Sequence, residues 1–295
     1  MKKNYAGRIC IHLFFVLFSL AFIIPFLYIL SISLTEENTL VSEGYRLFAS
    51  KLSLSAYRYV FANPAQILNS YAVTVFSSFG GTLISVLMMS LGAYPLARDN
   101  FIGKRAVTFF IFFTMLFNGG LIPTYILMTK YLNLGNSIWI YFTLNMASAY
   151  YILILRTFFK QLPASLMESA QIDGASEFKI YFRIILPISK PVIATVSLMM
   201  LLAKWNDWNT SLIYARDARL YTLQFLLQRI LRETEFLNSV SQNIPIGFDI
   251  TETSNAPFEG MRFAMCVIAA GPMLIIFPFF QKYFAGGLTI GAVKG

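Results

Sequence analysis

The chain alternates long apolar stretches with short polar segments along most of its length. Each of six apolar stretches approaches the roughly 20 residues that a helix needs to cross the hydrocarbon core of a bilayer. These stretches cover residues 9–34, 71–96, 106–128, 137–159, 192–214 and 263–284. Because a chain inside lipid must satisfy its own backbone hydrogen bonds, the pattern predicts an all-α membrane protein with six transmembrane helices, forming one transmembrane domain over residues 1–295.

One polar segment, residues 163–187, lies between the fourth and fifth of these stretches. It is rich in helix-forming residues, and a polar helix is costly in contact with lipid. We therefore expect a partner outside the bilayer to bind it. The alternative is an ordinary amphipathic connector between two spans.

The same segment contains start and stop signals for a helix. Ser165 and Glu168 have the S-x-x-E spacing of a capping box. A helix over 164–172 is predicted, followed by a turn at Asp173–Gly174, because glycine readily adopts positive φ. A second short helix is predicted to run to a break at Pro187.

The composition supports the same class independently. Hydrophobic residues make up 57% of the chain and charged residues 13%, whereas soluble domains carry about 25% charged residues. The mean hydropathy is +0.64. This composition excludes a soluble domain.

The distribution of charge predicts an orientation in the membrane. The formal net charge is +9, and with both termini inside, the inner segments carry all of the positive excess. Cations and acids are equal in number in the outer segments. Since lysine and arginine accumulate on the cytoplasmic side of membrane proteins, both termini are predicted to be cytoplasmic. The same bias accounts for the basic isoelectric point, and no nucleic acid partner is implied.

No pattern of catalytic or metal-binding residues is visible in the sequence. Gly103–Lys104 lacks the earlier glycine of a phosphate-binding loop, His12 is the one histidine, and Cys10 and Cys266 have no clustered partners. We therefore expect no catalytic residue, no metal site and no nucleotide-binding site in this chain.

Two glycine pairs, Gly80–Gly81 and Gly119–Gly120, lie within predicted spans. Small residues at such positions permit neighbouring helices to approach closely. We expect this packing role for both pairs, and the alternative is contact with a ligand.

The spacing of residues within 163–187 resembles the E-A-A-x3-G-x9-I-x-L-P loop of ABC importer permeases. The matching positions are Glu168, Ala170, Gly174, Ile184, Leu186 and Pro187, with Ser169 in place of the first alanine. Further segments look like the carbohydrate-uptake permeases of the maltose type, most of all the second permease subunit of importers for oligosaccharides or polysaccharide fragments. These segments are 117–125, 156–159, 205–208, 280–284, 286–289 and 291–295.

This resemblance implies the type I ABC importer permease fold, with cytoplasmic coupling helices in the loop 160–190 between spans four and five. It further implies that a cytoplasmic ATPase subunit binds this loop, so that closure of the ATPase on ATP moves the membrane helices. The residues expected to couple the two are Glu168, Ser169, Ala170, Asp173, Gly174, Ile184, Leu186 and Pro187.

The resemblance also implies the partners. These are a homologous second permease chain forming a heterodimer, two cytoplasmic ATPase subunits, an extracytoplasmic solute-binding protein, an oligosaccharide substrate and membrane lipid. ATP and magnesium are expected in the ATPase, and no cofactor is expected in this chain. The implied location is the bacterial cytoplasmic membrane, crossed several times.

Three alternatives remain open for the function. The first is an ABC importer permease for a solute other than a sugar. The second is a stand-alone six-span channel or secondary transporter, which would leave the polar segment without a role. The third is a membrane-embedded enzyme, which no convergent acid, base or metal group supports.

The end of the predicted fifth span contains candidate residues for the substrate pathway. Lys204 and Asp207 are three residues apart, so on a helix they would share a face and neutralise each other, facing the bundle interior or a wet cavity. Neighbouring aromatic rings could stack on sugar rings, and amides could bind sugar hydroxyls. The alternative is that the tryptophans anchor the span at the membrane interface. The candidates are Lys204, Trp205, Asn206, Asp207, Trp208 and Asn209.

Residues 215–261 form the longest predicted external segment. Within it, 223–232 has helical spacing, whereas 243–256 is rich in turn-forming and helix-breaking residues. From the family resemblance, we expect this loop to reach the solute-binding protein. The alternative is a surface cap on the membrane domain.

Overall fold

The computed structural model describes residues 5–243 and 257–290. The secondary structure of these residues is helical, apart from one isolated antiparallel bridge between Thr35 and Leu52. The predicted all-α class is therefore confirmed.

The helices of the first half of the chain follow the predicted apolar stretches, with short helices between them. They are α1 (Tyr5–Ser33), α2 (Glu37–Glu43), α3 (Ser55–Val60), α4 (Pro64–Val75), α5 (Gly81–Ala97), α6 (Lys104–Leu116), α7 (Leu121–Ile126), α8 (Ile140–Thr143) and α9 (Ala149–Lys160). A π-helical turn at Phe76–Gly80 joins α4 to α5, and a second one at Leu127–Tyr131 extends α7.

The second half contains the polar segment and the C-terminal helices. Its helices are α10 (Ala164–Ile172), α11 (Glu177–Ile180), α12 (Leu186–Ile188), α13 (Lys190–Trp205), α14 (Asn209–Tyr214), α15 (Leu223–Asn243) and α16 (Phe258–Ile290). A π-helical turn at Tyr181–Ile185 joins α11 to α12, and Ala218–Leu220 is a 3₁₀ turn.

Three helices of the described residues are long and apolar enough to cross a membrane: Gly7–Ser33, Pro64–Ala97 and Phe258–Gln281. Two further pairs qualify only if each pair is one bent crossing, with bends of 110° between α6 and α7 and 80° between α12 and α13. In the fourth predicted span, α8 and α9 are separate short helices. The described residues thus provide three to five crossings, and the count of six stays a prediction.

The chain divides into two compact units, one formed by Met1–Ile67 with Leu226–Pro272 and the other by Leu68–Phe225 with Met273–Gly295. In the first unit, the Glu37 carboxylate accepts hydrogen bonds from the backbone N–H groups of Glu259 (2.8 Å) and Gly260 (3.0 Å). A carboxylate at this end of α16 satisfies amides that have no partner within the helix.

Tyr45 reinforces the same contact. Its hydroxyl donates to Glu259 Oε2 at 2.8 Å, and this bond, together with partial burial, raises the pKa of the Tyr45 hydroxyl. Helix α15 confirms the helical spacing predicted for 223–232 and extends beyond it. Of the stretch 243–256, predicted to be irregular, Asn243 is the last residue of α15, and 244–256 lie outside the described residues.

In the second unit, α5 packs against α9 and α13 around a continuous apolar core. Met89 of α5, Leu155 of α9 and Val196 of α13 are each 1% exposed or less. The same core includes buried residues of the polar segment, namely Met167, Ala170, Ile180, Tyr181 and Ile185. The polar segment is therefore packed against the membrane helices on one side, which a freely hanging connector would not be.

The two glycine pairs differ in their roles. A Cβ on Gly80 would lie 2.9 Å from the Phe142 ring, and a Cβ on Gly81 would lie 3.1 Å from the Lys204 side chain, so their packing role is confirmed. The packing role predicted for Gly119–Gly120 is wrong. A Cβ on Gly119 would meet only Pro123, at 3.8 Å, and one on Gly120 would have no neighbour within 4 Å. Gly120 has φ +87° in the non-helical stretch before α7, where its N–H donates to Asn118 Oδ1.

Candidate functional site

Helix α10 begins and ends at the predicted residues, Ala164 and Ile172, so its predicted range is confirmed. The predicted capping box is wrong. Pro163 occupies the N-cap position, no side chain caps the helix, and Ser165 lies inside the first turn. Proline lacks an N–H and has a fixed φ, so the helix starts directly after it and Ser165 is two residues too late to cap.

The elbow after α10 is formed by a Schellman motif. Gly174 has φ +73°, its N–H donates to the Gln171 carbonyl at 3.0 Å, and the N–H of Ala175 donates to the Ala170 carbonyl at 2.9 Å. These two bonds satisfy carbonyls at the helix end and define the direction of the chain beyond it. The predicted turn at Asp173–Gly174 is confirmed.

The second arm of the segment starts at α11, where Ser176 Oγ accepts a hydrogen bond from the N–H of Lys179. It continues through the π-helical turn to Ile188. The predicted break at Pro187 is therefore two residues early. Pro187 is the second-to-last residue of the continuous helical stretch Glu177–Ile188, and the 80° bend falls between α12 and α13, at Ser189.

Glu177 connects both arms of the segment to α5. One carboxylate oxygen accepts the Tyr94 hydroxyl at 2.6 Å, and the other accepts Gln171 Nε2 at 2.7 Å and the Arg98 guanidinium at 3.3 Å. Tyr181 adds a further link to α5, since its hydroxyl lies 2.6 Å from Ser90 Oγ. Hydrogen bonds to a charged group are stronger than neutral ones, so Glu177 stabilises the angle between the arms.

The residues of the family-like pattern divide between two faces. Ala170, Ile184 and Leu186 face the core, whereas those that lie on the exposed face are Glu168, Ser169, Asp173, Gly174 and Pro187. Two large apolar side chains of the same segment are also exposed: Ile172 is 87% exposed and Phe178 is 72% exposed. Exposed apolar side chains on an otherwise polar helix are typical of a protein-binding surface.

A second candidate site is a cavity of about 470 Å³ at the junction of α13 and α14. Five of the predicted pathway residues line this cavity: Lys204, Asn206, Asp207, Trp208 and Asn209. The sixth, Trp205, does not line it and is only 1% exposed. Trp205 is therefore placed in the core of the unit, and the other five remain together at the cavity wall.

Lys204 and Asp207 do not form the predicted neutral pair. Helix α13 ends at Trp205, so the two residues do not share a helix face. Lys204 Nζ donates to the Tyr141 carbonyl at 3.0 Å, and the Asp207 carboxylate accepts from the N–H and hydroxyl of Thr210. Asp207 thus stabilises the start of α14, and the ammonium of Lys204 retains N–H donors for the cavity.

Sequence reasoning missed several polar residues of the cavity wall. Asn118, Thr124, Asn145 and Thr210 line it together with Tyr214. Asn145 has φ +55°, a conformation that asparagine tolerates better than most residues. A polar asparagine inside an apolar stretch was the available signal, because such residues seldom face lipid.

The chain matches, over residues 92–290, the family described as the inner membrane component of binding-protein-dependent transport systems. It belongs to this family. The matched range includes both the coupling-like segment and the cavity residues. The predicted family and the permease role within an ABC importer are confirmed, and the chain is a multi-pass membrane transport component.

Three similar proteins extend over nearly the whole chain. It is 36% identical to the polygalacturonan/rhamnogalacturonan transport system permease protein YtcP of Bacillus subtilis (strain 168), over 99% of this chain and 100% of that protein. It is 37% identical to protein LplC of the same organism, over 100% of this chain and 98% of LplC. A crystal structure of a bacterial ABC transporter involved in the import of the acidic polysaccharide alginate matches with a TM-score of 0.77 and 27% identity, covering 96% and 98% of the two chains.

Proposed function

We propose that this chain forms half of the translocation pathway of an ATP-driven importer for oligosaccharides, and that α10 with its elbow couples an ATPase to the membrane helices. The observation that carries this proposal is the two-faced polar segment. Its inner face is part of the core formed by α5, α9 and α13, while its outer face exposes Glu168, Ile172 and Phe178. A partner bound to the outer face would act directly on the packed helices.

The coupling follows from the stiffness of this segment. Packed cores resist deformation, so movement of α10 is transmitted to the helices it contacts instead of being absorbed locally. The Schellman motif at Gly174 and the hydrogen bonds of Glu177 hold the two arms at one angle. Closure of a bound ATPase would therefore rotate α5 and α13 together with the segment.

The substrate we propose is an oligosaccharide fragment that carries carboxylate groups. The relatives include permeases named for polygalacturonan and rhamnogalacturonan, and a transporter of the acidic polysaccharide alginate. The cavity supports the same class, because Lys204 places an ammonium in its wall that donates to the Tyr141 carbonyl, while the Asp207 carboxylate in the same wall is bonded to Thr210. Trp208 and four asparagines of the wall provide an aromatic surface and amide groups for a sugar.

The proposed assembly follows the family. It contains a homologous second permease chain, two cytoplasmic ATPase subunits that bind ATP and magnesium, and an extracytoplasmic solute-binding protein that contacts the loop 215–261. Both termini of this chain lie in the cytoplasm of a bacterial cell, as the charge distribution predicts.

A charge reversal on the exposed face tests the proposal. We expect Glu168→Lys to abolish co-purification of the ATPase with the permease and to abolish ATP-driven uptake, because it changes the binding face without changing a core contact. Glu36→Lys is the matched control, since Glu36 lies on a segment predicted to be external. Equal retention of the ATPase in both variants, or uptake that proceeds without ATP, would contradict the coupling role.

A further inference from the structure

A second charged cavity, of about 590 Å³, lies between α6 and α9, and it shares no lining residue with the substrate cavity. Its wall contains four cations together with apolar residues. The lining residues are Lys104, Arg105, Thr108, Phe109, Phe112, Leu153, Arg156 and Lys160. Neither the coupling role nor the substrate pathway uses any of them.

The positive charge of this cavity is only partly neutralised by the protein. Lys104 Nζ donates to Asp99 Oδ1 at 2.8 Å. This hydrogen bond is the main reason why the pKa of the Asp99 carboxyl is below its usual range, and the positive charge of Lys160 contributes less. The ion pairs found in the described part of the chain do not include Arg105, Arg156 or Lys160. The site therefore carries an excess of cations that a bound anion could neutralise.

The cavity has a polar end and an apolar end. Lys104 and Arg105 lie in the first turn of α6, and Lys160 is the last residue of α9, so the two helices run in opposite directions along the cavity with their cations at one end. Phe112 lies about 12 Å further along α6, and Leu153 lies about 10 Å back along α9, at 1.5 Å of rise per residue. A ligand that fills this cavity must therefore be anionic at one end and apolar at the other.

The cavity is open at the surface of the second unit. Helix α6 contains no buried residue, and Phe109 is 68% exposed on it. Basic side chains next to exposed apolar ones, at a predicted membrane boundary, suit an anionic lipid headgroup.

We propose that this cavity binds an anionic phospholipid, with its phosphate groups on the four cations and its acyl chains along Phe109, Phe112 and Leu153. The inference rests on the proposed function for the location of this end of the helices, at the cytoplasmic face of the membrane. A soluble anion would use the cations but would leave the apolar half of the cavity empty. A lipid occupies both the cationic half and the apolar half of the cavity, and it contacts α6 and α9 at the surface of the unit.

The test uses the intact transporter, purified with its partner chains and titrated with cardiolipin in phosphatidylcholine nanodiscs. Arg105→Gln/Lys160→Gln removes two cations that belong to none of the ion pairs within residues 5–243 and 257–290. We expect cardiolipin affinity to fall about thirtyfold, because each cation near an anionic lipid contributes roughly fivefold. The charge-conserving variant Arg105→Lys/Lys160→Arg should restore most of the affinity.

Lys130→Gln/Arg216→Gln is the matched control, since it removes the same charge from residues outside the cavity. Unchanged cardiolipin affinity in the cavity variant would overturn the proposal, and so would an equal loss in the control, which would indicate bulk electrostatics. Displacement of cardiolipin by inorganic phosphate would overturn it too, because it would identify a soluble-anion site. ATP-driven uptake in the same preparation reports on the proposed function separately, since uptake can fail while cavity-dependent lipid binding persists.

Discussion

At the scale of single residues, two positions have roles that depend on their immediate surroundings. Gly174 adopts φ +73° at the end of α10, where any side chain would strain the backbone. Lys204 extends over Gly81, where a Cβ would lie 3.1 Å from its side chain, and reaches the Tyr141 carbonyl. The first position sets the direction of the chain after α10, and the second places an ammonium group at the wall of the 470 Å³ cavity.

Gly174→Ala should weaken coupling through the elbow. A side chain at this φ costs about 1 kcal/mol or more, so we expect a lower thermal unfolding midpoint and less solute imported per ATP hydrolysed. Gly92→Ala is the matched control, because Gly92 lies within α5 with no atom near an added Cβ. Equal behaviour of the two variants would show that the left-handed conformation at 174 is unimportant.

Lys204→Met should change substrate preference. It keeps a long side chain over Gly81 but removes the ammonium, so we expect uptake of a carboxylated oligosaccharide to fall roughly tenfold and uptake of its neutral, esterified form to fall less. Competition between the two substrates in proteoliposomes measures this ratio. Lys130→Met serves as the control outside the cavity, and an equal loss for both substrates would contradict a charge contact at Lys204.

At the scale of elements, the segment from α10 to α12 is a rigid unit held by a few polar contacts and a shared core. Glu177 bonds to Tyr94 and Arg98 at the end of α5 and to Gln171 of α10. Met167 and Ile180 bury their side chains from the two arms into the core of the membrane helices. The element is thus fixed on its inner side and available to a partner on its outer side.

Glu177→Ala should loosen this element without removing its outer face. Three donors lose their charged acceptor, so we expect amide hydrogen exchange over residues 164–188 to accelerate by roughly tenfold. Glu168→Ala is the matched control, because Glu168 is exposed on the outer face; it should leave exchange unchanged while weakening association with the ATPase. If amide hydrogen exchange over residues 164–188 is the same in both variants, Glu177 does not hold the two arms of this segment together.

At the scale of the whole molecule, the number of membrane crossings depends on the bent pairs. The 110° bend between α6 and α7 is compatible with one broken crossing or with a re-entrant loop. The apolar pattern predicts a single crossing over 106–128. The two arrangements differ in which side of the membrane the ends of this pair face.

Cysteines at the two ends of the pair distinguish these arrangements. Ile102 is 95% exposed before α6, and Tyr131 is 78% exposed after α7. In a background without Cys10 and Cys266, we expect Ile102→Cys to react with a membrane-impermeant thiol reagent only from the cytoplasmic side and Tyr131→Cys only from the outside. Labelling of both from one side would establish a re-entrant loop and reduce the count of crossings.

Local sequence signals determined the helical class, the range of α10 and the turn at Gly174. Each of these depends on residues that are neighbours in the chain: a run of apolar side chains, a proline before a helix, a glycine after it. The same local reasoning gave wrong predictions where the actual start or end of a helix differed from the predicted one. Pro163 displaced the predicted cap at Ser165, and the end of α13 separated Lys204 from Asp207.

Only the tertiary structure decided which of these residues work together. Glu177 and Tyr94 are 83 residues apart, yet their hydrogen bond holds the elbow. Residues from distant segments also meet in three other places. These are the core around Trp205, the asparagine-lined wall beside Lys204, and the cation cavity between α6 and α9. Residues that are neighbours in the chain decide which stretches form helices, because helix formation depends on local apolar pattern and backbone preference. The faces that those helices bury, and the charges they leave without partners, depend on packing between residues far apart in the chain.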